Sequence, residues 1–190
     1  MQSQVNNGLF LKVISLFSLV RVYNVVLMAF AQIICSIFFF SESKNIYSVV
    51  FDYNIWCIVI ASSSSISAGY IINNFFDTEK DLINRPLKTI LEKEISGKTK
   101  LRGYIILNLI CLIFAIHVSM KAFLFFLFYI TSIFLYSVKI SRHTFFANIL
   151  SVLLSITPFF AIVLYYKYFT IEFLLHALFL FFLILIKELL

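Results

Sequence analysis

Polar residues in this chain are bunched, and the apolar stretches between them are long. Six stretches, at about 17–40, 55–76, 103–120, 122–138, 146–166 and 169–187, approach the roughly 20 apolar residues that a helix needs to cross a bilayer. They lack the period-two alternation of barrel strands. Most are apolar on every side, as suits helices that face lipid or each other rather than water. The pattern predicts an all-α, polytopic transmembrane helix bundle of six spans, in a single membrane domain over 1–190. Only Met120 and Lys121 separate the third and fourth spans, which predicts a tight hairpin. Pro158 is expected to kink the fifth.

Composition agrees. The 190 residues are 62% hydrophobic, with 24 Phe and only 13% charged residues, about half the usual charged share of a soluble domain. Four Gly and two Pro leave long helices largely uninterrupted. Cys35, Cys57 and Cys111 all lie in apolar runs without metal-ligand spacing and read as small buried hydrophobes. The region from Lys12 to Phe40 lacks a short core followed by a cleavage site, so it reads as a retained membrane helix rather than a signal peptide. The formal charge of +6 raises the question of nucleic acid. The basic residues flank the spans, however, so the expected partner is the bilayer and no nucleic acid is expected.

Lysine and arginine also orient the bundle. The loop from Asp77 to Gly103 carries seven of them, and Lys139 with Arg142 mark the next loop on that side. Lys12 and Arg21 flank the first span, while the opposite loops hold only Lys44, Lys121 and Lys167. The excess predicts that the N-terminus and the 77–103 loop are cytoplasmic, and puts Lys187 and Glu188 on the same side. Within this loop "EKEISGKTKLRG" suggests a short amphipathic helix followed by a turn at Gly97. Lys98, Lys100 and Arg102 read as a solvated connector. His117 and His176 read as polar residues at helix contacts, and Ser62–Ser65 as small residues that let helices approach closely.

One polar cluster stands out. In "NNFFDTEKDLINRP", Asn73, Asp77 and Asp81 are spaced i, i+4, i+8 and share one helix face at the end of an apolar run. Ionisable groups at such depth are costly and usually functional. Two neighbouring carboxylates repel unless a cation lies between them, and an oxygen-only donor set suits Mg2+ completed by substrate phosphates. The plain alternative is a helix end neutralised by Lys80 and Arg85.

The text around the cluster decides between these readings. "NNFFDTEKDLINRPLK" resembles the first aspartate-rich motif of the UbiA-type intramembrane prenyltransferases. "RVYN" (Arg21 to Asn24) resembles the Arg and Asn of that family's first helix, with Val22 where Pro is usual. "LYSVK" (Leu135 to Lys139) resembles the Tyr-Ser and Lys at the end of its fourth helix, and Asn148 falls where the fifth often carries Asn. The resemblance runs from about residue 20 to the end. It implies Mg2+-dependent transfer of an isoprenoid chain from a prenyl diphosphate to an acceptor in the cytoplasmic membrane. That acceptor would be an aromatic quinone precursor, a haem or a glycerol phosphate, and the wording of the motif most resembles the glycerol-phosphate branch. Asp77, Asp81 and Asn73 would hold the metal, with Asp77 and Asp81 as catalytic carboxylates. Arg85, Lys88, Lys139, Tyr136, Arg21 and Asn24 would contact the diphosphate, and Tyr136 or Tyr70 would face an allylic cation.

The family resembled has nine transmembrane helices and a second aspartate-rich motif after the sixth. This chain closes on "LIKELL", where Lys187 and Glu188 resemble the start of that motif. The expectation is therefore the N-terminal two-thirds of the family domain, incomplete, with a catalytically inactive truncated protein or a non-enzymatic membrane partner as the alternative function. A transporter would place charged or Gly/Pro-broken positions inside several spans, and here charges stay near span ends.

Overall fold

The computed structural model describes residues 12–40, 46–84, 92, 95–139, 144–167 and 169–189, except the side chains of 39–40, 78–84, 139, 144–146 and 188–189. Among these residues the chain is helical, without strands. In order they form α1 (Lys12–Val20), α2 (Val22–Cys35), α3 (Ile46–Val50), α4 (Tyr53–Asn84), α5 (Gly97–Val118), α6 (Met120–Lys139), α7 (Thr144–Tyr166) and α8 (Ile171–Leu189). A single π-helical segment, Ser36–Phe40, extends α2.

Four helices contain segments long and apolar enough to cross a membrane: Tyr53–Asp77, Gly97–Val118, Met120–Val138 and Ala147–Tyr166. The α1–α2 pair makes up to five. The sixth expected span, 169–187, forms helix α8 but falls outside that set. Every 18-residue stretch of α8 includes Glu172, Lys187 and Glu188.

The first expected span is not one rod. Its two helices bend by 48° at Arg21, which adopts a left-handed backbone (φ 51°, ψ 53°). That conformation costs a non-glycine residue about 1–2 kcal/mol and interrupts the i→i−4 ladder. The Arg21 N–H instead closes back on Ser18 O at 3.1 Å, and Asn24 N–H starts α2 by donating to Arg21 O at 2.9 Å. Gly97 also departs from expectation. It begins α5 rather than making a turn, because Ser96 caps the helix by accepting from the Thr99 N–H at 3.2 Å. The tight hairpin is present, with Ser119 as its single linking residue; its Oγ caps α6 by accepting from the Ala122 N–H at 3.1 Å.

The central element is α4. Its spanning segment is 67% buried, against 11–39% for the other three, and α5, α2, α6 and α7 all pack on it. In lipid there is no hydrophobic drive between helices, so close packing of small residues does the work. Buried Ser62, Ser64, Ser65 and Ser67 line α4 accordingly, and Ala61, Cys111, Ala115 and Ala161 meet around Phe126 and Ile162. The large side chains of the outer helices, such as Phe128, Phe179 and Ile171, point outward. The three cysteines are unbonded, Cys57 and Cys111 fully buried.

Pro158 lies inside α7, and its missing N–H strips Leu154 O of its helical donor. Tyr129 replaces that donor with its hydroxyl, at 3.1 Å from Leu154 O. Gln32 adds a second tie, donating from Nε2 to Pro158 O at 2.8 Å and to Ser62 Oγ at 2.9 Å. Tyr129→Phe should therefore lower stability by about 1–3 kcal/mol, the usual cost of orphaning a buried acceptor. Thermal unfolding in detergent would show it; an unchanged midpoint would mean that Leu154 O finds another donor.

Candidate functional site

A cavity of about 610 Å³ opens between α2, α4, α6, α7, α8 and the α1–α2 bend, within the range of small-molecule sites. Its polar and apolar lining is largely segregated. On α4, Asn73 and Tyr70 lead to Gly69 and Ile66; on α6, Ser137 and Tyr136 lead to Ile133 and Tyr129; on α8, Lys187 leads to Ile184 and Leu180. From the bend, Arg21 and Asn24 lead along α2 to Leu27, Met28 and Ala31. Arg21 and Ala31 are ten residues apart, about 15 Å along a helix. On α7, Ser151 and Ser155 interleave with Val152, Leu154 and Phe159, so the site is a polar mouth over a mostly apolar shaft.

Local geometry organises the mouth. Turning at Arg21 lets the guanidinium sit over the Tyr70 ring, 4.9 Å from its centroid. Asn24 Nδ2 donates to the Tyr70 hydroxyl at 3.2 Å. Tyr70 is therefore pinned between two residues of the bend, and one of its faces already carries a cation. That face is therefore already occupied, whereas Tyr136 is half-buried in the cavity wall.

Asn73 and Asp77 follow each other by one turn on α4, about 6 Å apart along its axis. Asn73 Oδ1 is buried and has no hydrogen-bond partner among the described residues. An orphaned buried acceptor normally costs about 1–3 kcal/mol, so this one reads as a donor oxygen waiting for a ligand. With the half-buried Asp77 it offers the oxygen-only set that a hard cation takes. The described residues contain no cluster of three or more His, Cys, Asp or Glu at metal-binding distance. Helix α4 runs on to Asn84, so the backbone keeps Asp81 on the face of Asn73 and Asp77. Its side chain, that of Lys139, and the whole of Arg85 and Lys88 lie outside the described residues.

Of the residues expected from sequence, the cavity gathers Arg21, Asn24, Asn73 and Tyr136. It also contains Ser137 and Lys187, which lie in motif-like text without a site role expected from sequence, and Ser151, Ser155 and Tyr129, which no motif flagged. Lys187 had a usable signal, being the lone cation closing an apolar helix on the Asp77 side. Ser151 and Ser155 had none, because a serine in a membrane helix ordinarily serves packing. Asn148 is half-buried on α7 but is not among the lining residues. His117 and His176 do not bridge helices. Each is exposed and bonds through Nδ1 to the carbonyl one turn earlier in its own helix, Ile113 O and Glu172 O, at 2.6 Å.

Comparison with known proteins matches this arrangement to one family. The model of the UbiA prenyltransferase family aligns with residues 29–187, most of the chain. The chain belongs to the UbiA prenyltransferase family. A curated relative named digeranylgeranylglyceryl phosphate synthase, from Thermococcus gammatolerans, is 32% identical over 102 residues, 53% of this chain and 37% of the relative. A solved structure, from work on digeranylgeranylglyceryl phosphate synthase in membranes, overlays with a TM-score of 0.70 at 18% identity. That overlay covers 93% of this chain and 60% of the solved one, so the fold is shared and the chain spans about three-fifths of that protein's length. As a UbiA family member with several apolar spans, the protein is an integral membrane protein.

Proposed function

We propose that the chain serves Mg2+-dependent transfer of an isoprenoid chain from a prenyl diphosphate to an acceptor inside the membrane, with the diphosphate in the polar mouth and the isoprenoid in the apolar shaft. The single observation that carries this reading is the cavity's polarity, where Arg21, Asn73 and Lys187 surround one end and mainly aliphatic and aromatic side chains, with Ser155 among them, line the other. Family membership supports prenyl transfer. The name of the Thermococcus relative favours a glycerol-phosphate acceptor over a quinone precursor.

Asn73, Asp77 and Asp81 would hold Mg2+, which when bound neutralises the diphosphate as it leaves. Arg21 and Lys187 supply cationic donors for phosphate oxygens. Arg85, Lys88 and Lys139 are assigned the same role from the sequence. Tyr136 presents its ring toward the chain as positive charge develops on it. The shaft excludes water that would otherwise quench the allylic centre. By the positive-inside rule, the mouth faces the cytoplasm.

The test uses the whole chain in lipid nanodiscs. Calorimetry should show geranylgeranyl diphosphate binding that disappears with EDTA and returns with Mg2+. Geranylgeranylglyceryl phosphate added to that complex should then be alkylated, as read by mass spectrometry. Absence of Mg2+-dependent diphosphate binding would sink the reading.

A further inference from the structure

Asn74 follows Asn73 on α4, about 100° further round the helix, and is buried outside the cavity lining. It sits in a polar chain deep in the protein. Lys100 Nζ donates to Asn74 Oδ1 at 2.8 Å. Asn74 Nδ2 donates to Glu92 Oε2 at 2.6 Å. Ser18 Oγ donates to Glu92 Oε1 at 3.4 Å. Glu92, Lys100 and Asn74 are only 3%, 6% and 7% exposed. Lys100 is thus not the solvated connector expected from sequence, whereas its neighbours Lys98 and Arg102 are exposed. Beside the polar chain, Ile95 packs with Leu19 and Ile71. Glu92 and Ile95 are therefore fastened to α1, α4 and α5 together.

The chain ends at the cavity. Ser18 is held by Glu92 through its hydroxyl, and its carbonyl accepts the Arg21 N–H at 3.1 Å. Arg21 is the left-handed residue whose guanidinium enters the mouth. A non-glycine residue persists in that conformation only where its surroundings over-determine it. Tyr70 constrains its side chain and Ser18 its backbone. We infer that Glu92, bridged to Lys100 by Asn74, is a positioning residue for the cationic mouth. It holds the last turn of α1 so that Arg21 faces the diphosphate, and holds Asn74 so that Asn73 points into the cavity. This inference rests on the function proposed above, and it adds a role to Ser18, Glu92 and Lys100, which lie outside the aspartate-rich motif and the cavity lining.

Three measurements on the full chain in nanodiscs test it. Glu92→Gln removes the charge with little change of shape, and Ser18→Ala is a milder variant that leaves the Asn74–Lys100 bond intact. Affinity for geranylgeranyl diphosphate with Mg2+ should fall roughly 10-fold in Glu92→Gln, the lower end seen when a ligand's outer partner is lost. Affinity for geranylgeraniol, which needs only the shaft, should stay the same. In ligand-free protein, phenylglyoxal should modify Arg21 several times faster in both variants, as mapped by peptide mass spectrometry. Equal losses for diphosphate and alcohol would mean general destabilisation and overturn the inference, as would unchanged affinities. If the unmodified chain binds no diphosphate, the functional reading fails by itself. The Arg21 modification rate then decides this inference alone, and an unchanged rate rejects it.

Discussion

Asp77→Asn should lower Mg2+-dependent affinity for a prenyl diphosphate by about 2–5 kcal/mol, the cost of truncating one partner of a close charge pair. That is roughly 30-fold to several thousand-fold in Kd. The argument starts at the helix. Asp77 is half-buried and follows the long apolar run of α4, so its carboxylate is the first acidic group after that run. One turn back, Asn73 offers a buried oxygen with no partner among the described residues. An amide at 77 keeps an oxygen but loses the negative charge that makes a cation favourable there. The signature is specific: affinity measured in EDTA should be the same in variant and parent, because only the metal-dependent part is lost. The buried side chains of α4 are its serines, alanines and aliphatic residues such as Ile58 and Ile72, whereas Asp77 is half-buried, so thermal stability should change less than affinity. Titration calorimetry at several Mg2+ concentrations checks both points. An Asp77→Asn protein that keeps its Mg2+ response would remove Asp77 from the metal site.

The second large effect concerns folding. Lys100→Met should destabilise the protein by about 1–3 kcal/mol, the usual cost of removing the donor from a buried acceptor, here Asn74 Oδ1. Lys100 and Glu92 are the charged ends of a chain bridged by Asn74, and both are almost fully buried. Methionine fills similar space, so lost packing explains little of the effect. What remains is the loss of the Lys100 donor to Asn74 Oδ1 and of the positive charge that Asn74 links to Glu92. The double variant Lys100→Met/Glu92→Leu should lose less than the sum of the two singles, since the second change removes the carboxylate linked to the lost cation, although Asn74 then loses both of these bonds. Unfolding midpoints in detergent for the two singles and the double give the coupling directly. Strict additivity would show that the two ends do not interact.

Much of the fold was legible in the chain itself, because a bilayer imposes a length and a polarity on every spanning segment. Apolar runs located α4, α5, α6 and α7, the one-residue hairpin at Ser119 fell within a residue of its expected place, and the motif beginning at Asn73 led to the right family. Periodicity also put Asn73 and Asp77 on one face, since i, i+4 spacing is a property of the helix alone. The sequence could not show the break at Arg21, because a left-handed arginine has no propensity signal and depends on Tyr70 and Ser18 arriving from elsewhere. Nor could it distinguish Lys100 from Lys98. Both are lysines in a basic stretch, and only packing of α5 against α4 buries one of them beside Asn74. The cavity has the same origin. Its mouth assembles residues from position 21 to position 187, and contacts at such separation are set by how the helices pack, not by any local pattern.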